Sequence, residues 1–360
     1  MKSFVLWSLF ILILIFNYSI KPQTLEDIEH ISAVSYDYVD EHQIKGTASA
    51  PFYPPGQNVQ PVPSFFTAVG RTILDIQQKQ QMEAQRPLRV GRLNNFLISK
   101  ELAQHGIKNL ADPIGRSIAI GRDVHMAVVD GSAEELLTFP YPNAQNTAQY
   151  LSHFTAETLK DFIPEPTVHA FLSQYKAFGQ DPFLPLLEKK HDHIHYKGLA
   201  LFKDDRYVGS LSIRDSTLFR LLYQKTKGGL YEITLKDNTY VNIEDIRSKV
   251  KYKVSGPEDN PRITIQVSML GQVREASSLL GLNKKSSIHK LEQEWKKEMT
   301  NRAEKMVKKL QSLGTDPLRI GEKVRSHYRN FDKTGWDERY RSLPIDFQMK
   351  VEIRSTGIVE

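Results

Sequence analysis

The chain has 360 residues, long for one ordinary core, and its 40% apolar and 25% charged composition is that of a globular protein rather than a disordered one. It contains no cysteine, which excludes disulfides, thiolate metal sites, cysteine nucleophiles and any thioether-linked lipid. The net charge of +6 suits an anionic membrane surface, but acids are interleaved with the bases and no run of basic and aromatic residues marks a nucleic-acid face.

Residues 1–21 form an export signal: Lys2 precedes the uncharged run from Ser3 to Phe16, which closes on Asn17. The segment Asn17-Tyr18-Ser19-Ile20 is a poor small-x-small cleavage site. A helix from Ser3 to Ile20 reaches roughly 27 Å, close to a hydrocarbon core, so the segment is either removed or kept as an anchor. In both cases the rest of the chain is expected outside the cytoplasm, because no later stretch is long and apolar enough to span a membrane.

Residues 22–190 are expected to form an N-terminal mixed α/β domain. Residues 28–39 read as a strand, 45–63 as an exposed Pro-rich loop, and Ser64 to Gln85 as a helix with Phe65, Phe66, Val69, Ile73, Leu74 and Ile76 on its apolar side. A strand over 88–98, short helices over 99–106 and 107–114, a strand over 124–129 and a capped helix from Ser132 follow.

Pro182, Pro185 and Lys189-Lys190 suggest a junction, after which 191–255 form a central domain with strands over 196–202, 206–211 and 230–235 around a helix at 215–225. The turn cluster 255–261 opens a C-terminal α+β domain over 256–360. There Ile263, Ile265, Val267 and Met269 alternate with polar residues, as do Phe347, Met349, Val351 and Ile353. Between them Ile288, Leu291, Trp295, Met299, Met306, Leu310 and Leu313 mark a long helix packed on a mainly antiparallel sheet. From Lys284 to Gln311 this helix has nine Lys or Arg against four Glu, a basic outer face of the kind that is usually solvated. The fold class is thus α+β and multidomain.

Two sets of histidines are candidate chemistry. In HDHIHYKGLALF, residues 191–202, an extended backbone would turn His191, His193 and His195 to one face, with Asp192 opposite, which is either a metal-binding face or the polar side of a strand. His125, His153 and His169, with scattered acids, are the candidates for an extracytoplasmic hydrolase. No Gly-x-Ser-x-Gly elbow, phosphate-cradling Gly-rich loop or His-Glu-x-x-His pattern occurs.

The order of segments resembles the Ger(x)C family of spore germination proteins over about residues 25–358. The similarity is carried by Asp27 to Val34, Arg92 to Ile107, Arg116 to Arg122 and Val124 to Leu137, and more closely by Gly198 to Leu211, by Asp316-Pro317-Leu318-Arg319-Ile320-Gly321 with Trp336 after it, and by Val351 to Ile353 with Gly357. The resemblance implies a non-enzymatic, extracytoplasmic C subunit of a nutrient germinant receptor at the outer face of the spore inner membrane. Its partners would be integral-membrane A and B subunits and the membrane surface. No cofactor, catalytic residue or nucleic acid is expected; His191, His193 and His195 stay as metal-ligand candidates only, on what the family would make a polar strand edge. The alternatives are an exported metal-binding surface protein or a hydrolase. Family members usually carry a lipid on a cysteine after the signal, whereas here Ile20 to Thr24 reads Ile-Lys-Pro-Gln-Thr. Attachment must then come from the N-terminal apolar segment or from partners.

Overall fold

The computed structural model describes residues 7, 28–52, 61–142, 144, 146–235, 238–277 and 284–356. Most of the expected signal or anchor and most of the Pro-rich segment lie outside these residues.

The first half builds one large sheet. Its strands are β2 (Ala33–Tyr38), β3 (Ile44–Phe52), β4 (Val62–Gly70), β6 (Asn95–Ser99), β7 (His125–Val129), β8 (Phe183–Lys190), β9 (His193–Lys203) and β10 (Arg206–Ser212). The order across the sheet is β10-β9-β8-β7-β6-β2-β3-β4. The centre, β2, β6, β7 and β8, is parallel, and an antiparallel hairpin flanks it on each side. A short pair, β1 (Glu29–His30) with β5 (Leu88–Arg89), lies apart from it.

Parallel central strands need both faces covered, and Phe96–Ile98, Met126–Val129 and Phe183–Leu187 are correspondingly apolar on both faces, while β2 buries Ser35 and Asp37. Phe96, Ile98, Met126 and Val128 face one layer, shared with the helices at 100–105, 108–116 and 168–176. Leu97, Ala127, Val129 and Leu187 face the other, with the helices at 133–138, 147–153 and 213–223.

The second layer continues into a four-stranded sheet, β11 (Tyr231–Thr234), β12 (Tyr240–Ser255), β13 (Arg262–Ala276) and β14 (Ile345–Thr356), in that spatial order. Three strands are antiparallel and β14 runs parallel to β13. A parallel return needs a crossover, and the helix Lys285–Leu313 supplies it. Its stripe Leu291, Trp295, Met299, Ala303, Met306 and Leu310 packs in one core with Ile263, Ile265, Val267 and Met269. This is the long helix on a mainly antiparallel sheet that the periodicities predict, and the chain is α+β throughout.

Two elements differ from the sequence-based expectation. Residues 45–52 are not loop but β3, with Thr47, Ala48, Ser49 and Ala50 buried between β2 and β4. The small side chains are needed because the helix Ile73–Glu83 lies close above: a Cβ on Gly46 would come within 2.8 Å of Ile76. Second, the expected helix from Ser64 starts only at Ile73, and 62–70 is the edge strand β4. Thr72 caps that helix, accepting from the Asp75 amide at 3.2 Å, and buried Gln80 ties it down by donating to the carbonyls of Gly46 and Phe66 at 2.9 Å each.

The boundaries expected at 190/191 and 255/256 fall at hairpin turns, β8 to β9 and β12 to β13, each inside a continuous sheet. The core is also shared. The helix Ile213–Tyr223 lies between the two sheets, with Leu218, Phe219, Leu221 and Leu222 all buried.

Candidate functional site

Where the two sheets meet, three segments converge on a buried polar joint: the turn before β8, the β9–β10 hairpin, and the loop after the long helix. Asp316, fully buried, is held by the first turn of the helix Ile320–His327. Its carboxylate oxygens accept from the amides of Ile320 at 3.0 Å and Gly321 at 2.7 Å. Such donors are the unpaired amides that every helix start presents. Asp181 does the same work across the joint. Its Oδ2 accepts from the Asp316 amide at 2.7 Å and its Oδ1 from the Asp204 amide at 3.2 Å, while the Asp181 amide donates to the Asp316 carbonyl at 3.0 Å.

Lys203 neutralises part of this charge, 3.5 Å from Asp181 and 2.9 Å from Asp337. Burial pushes the Asp316 carboxyl up to about 7, with Asp181 adding to the effect. Burial also raises Asp181, although Lys203 opposes it; Lys203 itself, disfavoured by burial, ends above its ordinary value because of Asp181 and Asp337. Around these charges the backbones touch. Gly179 has φ +68°, the Glu322 amide donates to its carbonyl at 3.0 Å, and a Cβ there would sit 2.4 Å from the Gly321 carbonyl carbon. Trp336 and Tyr340 seal the far side, with the Tyr340 hydroxyl donating to the Thr315 carbonyl at 2.9 Å.

A polar cleft of about 400 Å³ opens onto the joint, lined among others by Tyr175, Phe178, Asp181, Lys203, Lys333 and Trp336. The oxygens of Asp181 and Asp316 are committed to backbone donors. Chemically the arrangement is a clamp: it fixes the relative placement of three segments distant in sequence. The sequence marks 316–321 and Trp336 through the family resemblance and quotes Lys203 and Asp204 inside the hairpin. Asp181 carries no sequence signal.

The histidine candidates are placed elsewhere. His191 lies in the β8–β9 turn with φ +54°, so it is not part of an extended run with His193 and His195. Asp192 is not on an opposite face either, since the turn brings its carboxylate 2.9 Å from His193 Nδ1. His195 Nε2 is 4.0 Å from Glu188, which also pairs with Lys197 at 2.9 Å. Lys197 in turn meets Asp130 at 2.8 Å, and although burial opposes it, the hydrogen bonds from Lys197 and Lys100 bring Asp130 below the usual carboxylate range. No group of three metal-ligating side chains occurs among the described residues. His125 sits at the start of β7, where burial lowers its pKa, while His153 and His169 are exposed on separate helices. None of the three lines the cleft at the joint.

The two-sheet fold with a long crossover helix and a buried polar joint places the chain among multi-sheet α+β proteins. Comparison with known proteins narrows it. Residues 21–189 match the family described as spore germination protein N-terminal domain, and residues 197–357 match the family described as spore germination B3/GerAC like, C-terminal. The chain therefore belongs to the Ger(x)C family of spore germination proteins. It is 25% identical over 358 residues to spore germination protein GerQC of Bacillus cereus, covering 98% of this chain and 99% of that protein. It is 20% identical over 310 residues to the putative spore germination protein YfkR of Bacillus subtilis (strain 168), covering 81% and 79%. The crystal structure of the GerBC protein matches with a TM-score of 0.55 and 18% identity, over 91% of this chain and 99% of that one, which shows a common fold. The two family segments meet at 189–197, at the turn into β9, beside the expected boundary.

Proposed function

We propose that this chain is a non-enzymatic subunit of a nutrient germinant receptor, seated on the outer face of the spore inner membrane beside membrane-spanning A and B subunits and required for nutrient-triggered germination. The observation that carries the reading is the end-to-end match to GerQC, with both family segments present in order. The site geometry supports it, because a clamp that fixes two sheets relative to each other suits a protein acting by presenting surfaces. With no cysteine, attachment rests on the apolar residues 3–16 or on the partners.

The test is the fall in optical density of spores lacking this gene, challenged with amino acids, nucleosides and sugars separately. A selective loss of response to one class, restored by complementation, is expected. Unchanged responses to every class would overturn the proposal.

A further inference from the structure

The four-stranded sheet has one face packed against the long helix, while the other is open among the described residues. Side chains alternate along β12, so Lys249, Lys251 and Lys253 all stand on the open face, about 6.8 Å apart. The neighbouring strand contributes short neutral side chains in register: Ser268 beside Lys249, Gln266 beside Lys251 and Thr264 beside Lys253. On the far side of Ser268 stands Lys350 of β14, also exposed. Among the described residues, none of these four lysines has a carboxylate within ion-pair distance. Of the acids on the same face of β14, Asp346 lies in the row of Lys253, across Thr264, and Glu352 in the row of Arg247, across Leu270. The result is a floor of short polar side chains with ammonium groups rising from it.

Like charges spaced this closely repel one another and add nothing to sheet stability. A surface with several lysines that no carboxylate neutralises matches a surface of negative charge. We propose that this face docks on the anionic phospholipid headgroups of the membrane to which the chain is attached. The inference rests on the membrane-proximal reading above. With Ser3 to Ile20 as the anchor, the link that follows, 21–28, spans at most about 28 Å when extended. A chain tethered so closely meets the headgroups continually, and the lysine face is what selects its orientation.

The experiment uses the full-length chain, whose lack of cysteine makes a single introduced thiol unique. Ser268→Cys carries a fluorophore at the centre of the open face; Lys297→Cys carries it on the exposed side of the long helix. Each protein is reconstituted with vesicles of phosphatidylcholine alone or of phosphatidylcholine and phosphatidylglycerol in equal parts, both doped with nitroxide-headgroup lipid. Quenching at Ser268→Cys in anionic vesicles, absent in neutral ones, reversed by salt and weak at Lys297→Cys, is the expected result. Replacing Lys249, Lys251 and Lys253 by Gln should lower the ratio of docked to undocked protein roughly a hundredfold, at about fivefold per lysine. Equal quenching of both labels, or quenching indifferent to lipid charge, overturns the docking face. If the protein floats with neutral vesicles and the Ser268→Cys label stays bright in anionic ones, docking is wrong and attachment stands; failure to float with either vesicle removes the attachment as well.

Discussion

The joint at Asp181 and Asp316 and the open face of the four-stranded sheet are both rich in charge, and they use it in opposite ways. In the joint every carboxylate oxygen of Asp181 and Asp316 accepts from a backbone amide, and Lys203 bridges Asp181 and Asp337. On the open face four lysines stand with no ion-pair partner among the described residues. Charge that is buried must be satisfied internally, since an unpaired buried group carries its full desolvation cost. Charge left unpaired on a regular surface is available to something outside. The first region sets the shape and the second offers a contact.

The sharpest way to break that contrast is at Gly179. Gly179→Ala puts a Cβ against the Gly321 backbone at a left-handed φ, and backbone cannot move aside as a side-chain tip can. A loss of about 4 kcal/mol is expected from the shifted urea midpoint. A loss below about 1 kcal/mol would mean that the joint yields and is not a clamp.

The next effect is on pH. Asp316 binds a proton more tightly folded than unfolded, so its contribution is most favourable below the unfolded carboxylate value near 4 and is lost as pH rises to about 7. Between about pH 5 and pH 7 the native chain should lose on the order of 2 kcal/mol more than Asp316→Asn does. Parallel stability curves for the two proteins would show that Asp316 does not titrate in that range.

The smallest effect is expected on the open face. Lys249→Gln, Lys251→Gln and Lys253→Gln together should change stability by no more than about 0.5 kcal/mol, or raise it slightly by relieving repulsion. A large loss would show that the lysines hold the fold, and the contrast would fail.

Legibility in the sequence follows the range of the forces. The long helix and the alternating strands at 263–269 and 347–353 are local patterns of one-sided burial, and they were readable. Ser132, which accepts from the Glu135 amide at 3.1 Å, is equally local. β4 reads as helix because Phe65, Phe66 and Val69 run into Ile73 and Ile76 at spacings that imitate one; the cap at Thr72 with Asp75 after it marks where the helix starts. β3 was hidden because close packing there selects small residues, which show no apolar rhythm. Of the site, 316–321 was visible by resemblance, but Asp181 is 135 residues from the amide it binds, and no local pattern encodes such a partner.

That separation also has a meaning in time. At about 5 to 20 residues per second, Asp316 leaves the ribosome roughly 7 to 27 seconds after Asp181. Until then the strands of the large sheet, complete by Ser212, can pair with each other while the Asp181 carboxylate lacks one of its amide donors. The joint is therefore among the last contacts available to the growing chain, and a product stopped before Asp316 would keep a half-solvated acid where the finished protein has its tightest seam.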